Sequence, residues 1–239
     1  MFAGEALGLK AMYETKACRI PEVLHWGNDG RGGSYIIMEF LPLGGRGSQK
    51  ELGRAIAKMH LATPTSCEEA AQGKFGFPVD NTIGGTSQPN KWEDDWPTFF
   101  REQRIGHQVR LAGDGQLQSL WNKVCSHTKG LATLFDDVEV KPSCLHGDLW
   151  SGNINYSDGE PTIYDPATYY GHHEAEWGMS WCAGFGSEFW EGYRELIPED
   201  KNFKKRRDLY ELYHKLNHYN LFGSGYYSDS VSLMERLLK

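Results

Sequence analysis

The sequence predicts an α+β protein in which a small β-containing segment precedes a larger, mainly helical lobe. Three observations predict it. A glycine-rich turn separates two extended runs near the N-terminus, apolar residues recur at helical spacing through much of the remainder, and a polar loop at 145–153 leads into a second hairpin.

In chain order, Phe2, Ala6, Leu9 and Tyr13 recur at helical spacing, so the chain opens on an amphipathic helix. Glu22 to Trp26 and Ser34 to Phe40 are extended runs, and Gly-Asn-Asp-Gly-Arg-Gly-Gly between them signals a turn, giving a β-hairpin. Leu41 to Ser48 reads as a linker, so residues 1–43 form a partial N-terminal lobe (helix, hairpin, hinge) and residues 44–239 the helical C-terminal lobe. Leu52, Ile56 and Met59 mark a helix that ends before Pro64. Gly73 to Pro89 reads as a loop. The acidic, aromatic run Trp92 to Phe100 leads into a helix through Arg101, with Asp94 or Asp95 placed either to cap it or to meet a cationic ligand. Its rings Trp92, Trp96, Phe99 and Phe100 suit an acceptor pocket or plain lobe packing. Two further apolar stripes follow, Leu117, Leu120, Trp121 and Val124, then Leu209, Leu212, Tyr213 and Leu216. Lys204-Lys205-Arg206-Arg207 reads as a solvated helix start.

Composition narrows the class. The 239 residues are enough for a large buried core, and 39 % hydrophobic with 24 % charged residues is a globular balance. A net charge of −7 argues against nucleic acid as a partner. Five scattered cysteines without a close C-x-x-C pair fit reduced thiols in a cytoplasmic setting, and no apolar run approaches the roughly 20 residues that span a bilayer. The N-terminus lacks signal-peptide and transit patterns, which leaves an organellar address open only to residues upstream of Met1.

The chemistry concentrates in Leu145-His146-Gly147-Asp148-Leu149-Trp150-Ser151-Gly152-Asn153 and the hairpin after it, with arms Asn153 to Tyr156 and Thr162 to Asp165. His146, Asp148 and Asn153 keep the spacing of the protein-kinase catalytic loop, H-R-D-x-x-x-x-N, and Asp165 ends the second arm where a metal-binding aspartate is expected. The pattern predicts a protein-kinase-like two-lobed fold with a truncated N-lobe. Phosphoryl transfer needs a carboxylate to orient and deprotonate the attacking hydroxyl, which suits Asp148 as the catalytic base. It also needs oxygen ligands for Mg²⁺, which suits Asn153 and Asp165. His146 suits bracing of the loop backbone. The competing reading is a metal-dependent hydrolase using His146, Asp148, His172 and His173, but the chain has no H-E-x-x-H helix. His172 and Glu174 suit a structural role in the segment after the metal aspartate.

These residues, with I-Y-D-P-A, Y-G-H-x-E, Met38-Glu39-Phe40-Leu41, Lys74-Phe75-Gly76-Phe77 and Leu216-Asn217-His218-Tyr219-Asn220, make the chain resemble the fructosamine kinase family along nearly all its length. These are the ketosamine kinases, relatives of aminoglycoside and choline kinases. The resemblance implies that Glu39, Phe40 and Leu41 form the hinge whose backbone holds adenine. It implies that Glu5 pairs with the lysine gripping the ATP phosphates and that Trp150 stacks on the substrate sugar. The implied reaction transfers the ATP γ-phosphate, with Mg²⁺, to the 3-hydroxyl of a free or protein-bound ketosamine, a deglycation step, in a monomer or homodimer. The family pattern also places about three strands, with a phosphate-covering loop and that lysine, ahead of the helix on which this chain opens. On that ground the chain as given is expected to bind ATP weakly, turn over slowly and self-associate. The alternative is a pseudokinase or ketosamine-binding module.

Overall fold

The computed structural model describes residues 2–65 and 67–239. The opening helix α1 (Phe2–Glu14) is followed by an antiparallel pair, β1 (Val23–Asn28) and β2 (Ser34–Met38). Then α2 (Gln49–Leu61) and the single-turn α3 (Glu68–Ala71) lead to a second pair, β3 (Asn81–Ile83) and β4 (Thr86–Gln88). A helical path runs through α4 (Trp96–Phe99), a π-helical stretch (Phe100–Ile105) and α5 (Gly106–Ala112), before α6 (Gly115–His127). The central segment supplies β5 (Ser143–Leu145), β6 (Ile154–Ser157), β7 (Glu160–Ile163) and β8 (Tyr169–Gly171). Strand β5 pairs with β8 and β6 with β7, both antiparallel. The remaining helices are α7 (Ser180–Ala183), α8 (Ser187–Arg194), α9 (Phe203–Phe222) and α10 (Tyr227–Arg236). Among the described residues no helix is long and apolar enough to cross a membrane.

Local chemistry explains most of these boundaries. Leu52, Ile56 and Met59 are buried along one face of α2, and the Ser48 hydroxyl accepts the Glu51 N–H at 3.2 Å to start that helix. Asp95 caps α4 by accepting the Thr98 N–H at 2.9 Å, while Asp94 pairs at the surface with Lys74. Trp96, Phe99 and Phe100 are buried against one another and Tyr210, so these rings pack the lobe. The first hairpin forms at Val23–Asn28 and Ser34–Met38, shifted by a residue or two from the expected runs, with a register irregularity between Val23 and His25.

Three expectations are corrected. Residues 73–89 are not all loop: Gly84-Gly85 turns β3 back on β4, and polar side chains hold the hairpin from below. Gln88 donates to the Asn81 side-chain oxygen at 2.8 Å, and Tyr213 donates to Gln88 at 2.5 Å. Tyr13 is 42 % exposed, because the buried face of α1 is Gly4, Ala6, Gly8, Leu9 and Met12. Arg206 is not part of a solvated helix start; it is fully buried and its guanidinium forks onto Glu174 at 2.6 and 2.8 Å.

Two glycines set how closely α1 can approach its neighbours. A Cβ on Gly4 would lie 2.6 Å from the Asn81 Cβ, and one on Gly8 would lie 2.9 Å from the Thr168 hydroxyl. Without side chains there, α1 lies flush against β3 and the segment 166–168. That contact delivers Glu5 to the same cavity as Asp165. Between β2 and α2 the chain is irregular, and it is stitched to the β6–β7 hairpin by a bridge between Leu43 and Ser157 and by the Gly44 N–H donating to the Tyr156 carbonyl at 2.9 Å.

Candidate active site

The loop 146–153 is held from below by groups remote in sequence. Gly147 has φ +81°, and a Cβ there would sit 2.3 Å from the Ala167 carbonyl, so the turn after His146 needs glycine. The His146 ring is fully buried: Nε2 meets the Tyr164 carbonyl at 2.9 Å and Nδ1 accepts the Asp148 N–H at 3.2 Å. Those partners fit a neutral imidazole, and burial pushes its pKa down. His146 therefore spans Asp148 and the strand leading to Asp165. Below it lies Glu176, whose carboxylate accepts the N–H groups of His146 at 2.7 Å and Gly147 at 2.8 Å. Burial acts to raise the Glu176 pKa, but the His60 contact, the His146 ring and the Gly147 N–H outweigh it and hold it below the usual carboxylate range. Nothing in the sequence pattern singles out Glu176.

Asn153 ties the two aspartates together. Its side-chain nitrogen donates to the Asp148 carbonyl at 2.9 Å and the Asp165 carbonyl at 3.2 Å, which leaves its oxygen as an uncommitted ligand. Asp165 sits at φ +56°, a left-handed conformation that costs a non-glycine residue free energy and is common where geometry serves a site. A cavity of about 180 Å³ lies among Glu5, Asn81, Thr82, Asp148, Asp165 and Ala167. Among the described residues no basic side chain lines it. Burial, then the charges of Asp165 and Glu176, push Asp148 up to about 7. Burial and Asp165 likewise raise Glu5. Carboxylates repelling one another around an uncompensated cavity, beside a free amide oxygen, suit a hard divalent cation. The oxygens that Asp165 and Asn153 present here therefore fit Mg²⁺.

The other expected site residues are distributed as follows. Trp150 is 41 % exposed and its indole lies over Gly152, where a Cβ would come within 2.3 Å of the ring. Glu39 donates its N–H to the Glu22 carbonyl at 2.8 Å and its carboxylate pairs with Arg19. The Glu39 carbonyl and the Leu41 N–H take part in no hydrogen bond among the described residues, and Phe40 is 88 % exposed. His172 and His173 do not join Asp148 as a hydrolase would need. They cluster with Glu174, but both Glu174 oxygens are engaged by Arg206 and His172 bonds Tyr210 at 2.7 Å, so the group is a buried structural network.

A catalytic-type loop, an adjoining hairpin aspartate and a polar cavity between them, on an α+β scaffold, define a protein-kinase-like phosphotransferase. The model of the fructosamine kinase family matches residues 1–239, and the chain belongs to that family. It is 53 % identical to protein-ribulosamine 3-kinase, chloroplastic, of Arabidopsis thaliana, covering 100 % of this chain and 72 % of that protein. It is 34 % identical to ketosamine-3-kinase of Mus musculus, covering 100 % of this chain and 84 % of the relative. A fructosamine-3-kinase-like protein of Haemophilus somnus superposes with a TM-score of 0.84 at 27 % identity, over 100 % of this chain and 80 % of the other. An aminoglycoside phosphotransferase superposes at TM-score 0.56 and 18 % identity, over 98 % of this chain and 81 % of the other, which shows the shared fold.

Proposed function

We propose that the protein is an ATP- and Mg²⁺-dependent ketosamine 3-kinase. Residues 1–43 serve as its nucleotide-covering part and residues 44–239 as its catalytic lobe. The observation that carries the reading is the joining of Asp148 and Asp165 through Asn153 in a chain that belongs to the fructosamine kinase family.

The Glu39 carbonyl and Leu41 N–H are the free hinge groups for adenine. Asp165 and Asn153 would hold the metal, which would supply positive charge to the phosphates. Asp148 accepts the proton of the sugar 3-hydroxyl as its oxygen bonds to the γ-phosphorus and the β–γ bridging bond breaks. A carboxylate poised near pH 7 is suited to that transfer, and nearby cationic charge favours its ionised form. Trp150 offers an exposed ring beside the base for the apolar face of the sugar. The cysteines of the chain are all unpaired, which suits a reducing compartment.

The test is phosphoryl transfer to fructosamine and ribulosamine acceptors, with the product located by phosphorus NMR. The wild type should place phosphate on the 3-hydroxyl, and Asp148→Asn should lower kcat by roughly 10²-fold or more with ATP binding retained. Undiminished turnover in that variant, or transfer only to unrelated alcohols, would defeat the proposal.

A further inference from the structure

Beyond Trp150, the ring assigned to the sugar, the neighbourhood of the active site carries exposed apolar surface. Trp181, Leu221 and Phe222 are 43, 36 and 67 % exposed. They come from two separate segments, each next to the catalytic loop or its cavity. Leu221 lies on the cavity side: a Cβ on Gly84, which lines the Asp148–Asp165 cavity, would meet the Leu221 side chain at 3.2 Å. Trp181 lies on the loop side, on a helix packed against the 151–153 turn of the catalytic loop. Burial, and then the charge of Asp148, push the thiol of its neighbour Cys182 up to about 11, which puts this helix within electrostatic reach of the base. His218 bridges the wall, its ring 5.6 Å from Trp181 and 5.5 Å from Phe222.

The wall is held in place by a lysine. Lys215 is nearly buried, its ammonium 3.7 Å from the centre of the Trp181 ring and 3.0 Å from Asp229. That contact fixes the indole and already fills its cation-binding face. With that face taken and the Lys215 charge matched by Asp229, what the wall still offers is hydrocarbon contact, which apolar groups bury at little cost.

We propose that Trp181 and Phe222 form a subsite for the aglycone of the acceptor: the methylene stem and apolar flanking residues of a peptide that bears the sugar on a lysine. This rests on the ketosamine kinase reading and extends it from the sugar to what the sugar is attached to. The stray-surface alternative accounts for one exposed ring, but not for exposed rings from two separate segments next to the catalytic loop and its cavity.

The experiment compares two ketosamine acceptors, one on methylamine and one on the lysine of a short peptide with apolar flanks, in wild type, Trp181→Ala and Phe222→Ser. The peptide acceptor's KM should rise about fivefold or more in Trp181→Ala, with the methylamine acceptor within about twofold and kcat unchanged. Phe222→Ser should act in the same direction. Equal effects on the two acceptors, as general loosening of the lobe would give, or no effect on either, overturn the subsite. Wild-type turnover on the methylamine acceptor separates this from the parent reading: its absence defeats the ketosamine kinase assignment and the subsite together.

Discussion

The Glu176 carboxylate accepts the backbone N–H of Gly147 at 2.8 Å, across 29 residues of sequence, and so pins the turn that presents Asp148. The same carboxylate takes the His146 N–H and meets His60 of α2 at 3.2 Å, so one buried charge shapes the loop and ties it to α2. Glu176→Gln offers a single acceptor oxygen and loses the charge. Hydrogen bonds to charged groups contribute about 1.5–3 kcal/mol each, so the variant should melt several degrees lower. Its kcat should fall roughly tenfold or more, with the ATP KM within about threefold. A lower melting temperature with wild-type kcat would show that Glu176 supports the fold and not the placement of the base.

Asp165 and Asn153 bear the metal prediction. Asp165→Asn keeps the shape and removes the charge that suits a divalent cation. Half-maximal activity should then require at least about tenfold more Mg²⁺, or activity should disappear. A superimposable magnesium titration would leave Asp165 a purely structural end to the hairpin.

Whether a feature is legible in the sequence depends on its range. His146, Asp148 and Asn153 lie within eight residues, and the hairpin to Asp165 is a local unit, so spacing alone exposes them. The stripes of α2 and α6 announce themselves because each follows a buried face, while α9 shows its stripe although it is buried all round from Leu212 to Asn217. Glu176 is invisible there because its partners lie 29 and 30 residues back, and only the fold brings them together. The β3–β4 hairpin escapes a hydropathy reading because its strands have three residues each and polar interiors, although Gly84-Gly85 is a hairpin signal. Tyr13 misleads because glycines, which carry no hydropathy signal, set the buried face of α1.

Trp150 lies between base and metal ligand in the loop and keeps 41 % of its surface exposed. A ring whose purpose was packing would be covered. Trp150→Ala should therefore raise the KM for small ketosamine acceptors several-fold while leaving the ATP KM within about twofold, since a stacking face touches only the acceptor. Equal changes in both, with a lower melting temperature, would return the ring to a packing role.

The buried histidines set the behaviour of the fold in acid. Burial holds His173 down to about 3, helped by the neighbouring His60 and Arg206, and holds His214 down to about 3, helped by His218 and Arg104. A histidine with an ordinary pKa near 6.5 in the unfolded chain then binds a proton that the folded protein refuses. Its contribution to stability is complete above about pH 6.5 and is lost as pH falls toward 3, at up to about 1.4 kcal/mol per pH unit per group. Asp148 works the other way in metal-free protein. Its folded pKa of about 7 lies above the unfolded value, so its ionisation costs stability as pH rises through that range, and the cost is relieved in acid. In EDTA, the melting temperature should fall between pH 6.5 and 4.5, because the lowered histidines His107, His146, His172, His173, His214 and His218 outnumber the raised carboxyls Asp148, Glu5, Glu174 and Glu211 that oppose them. His214→Asn should flatten that fall, whatever its effect on stability at pH 7.5, and Asp148→Asn should steepen it. Parallel pH profiles for wild type and His214→Asn would mean that His214 accepts its proton without unfolding, and that its burial does not govern acid stability.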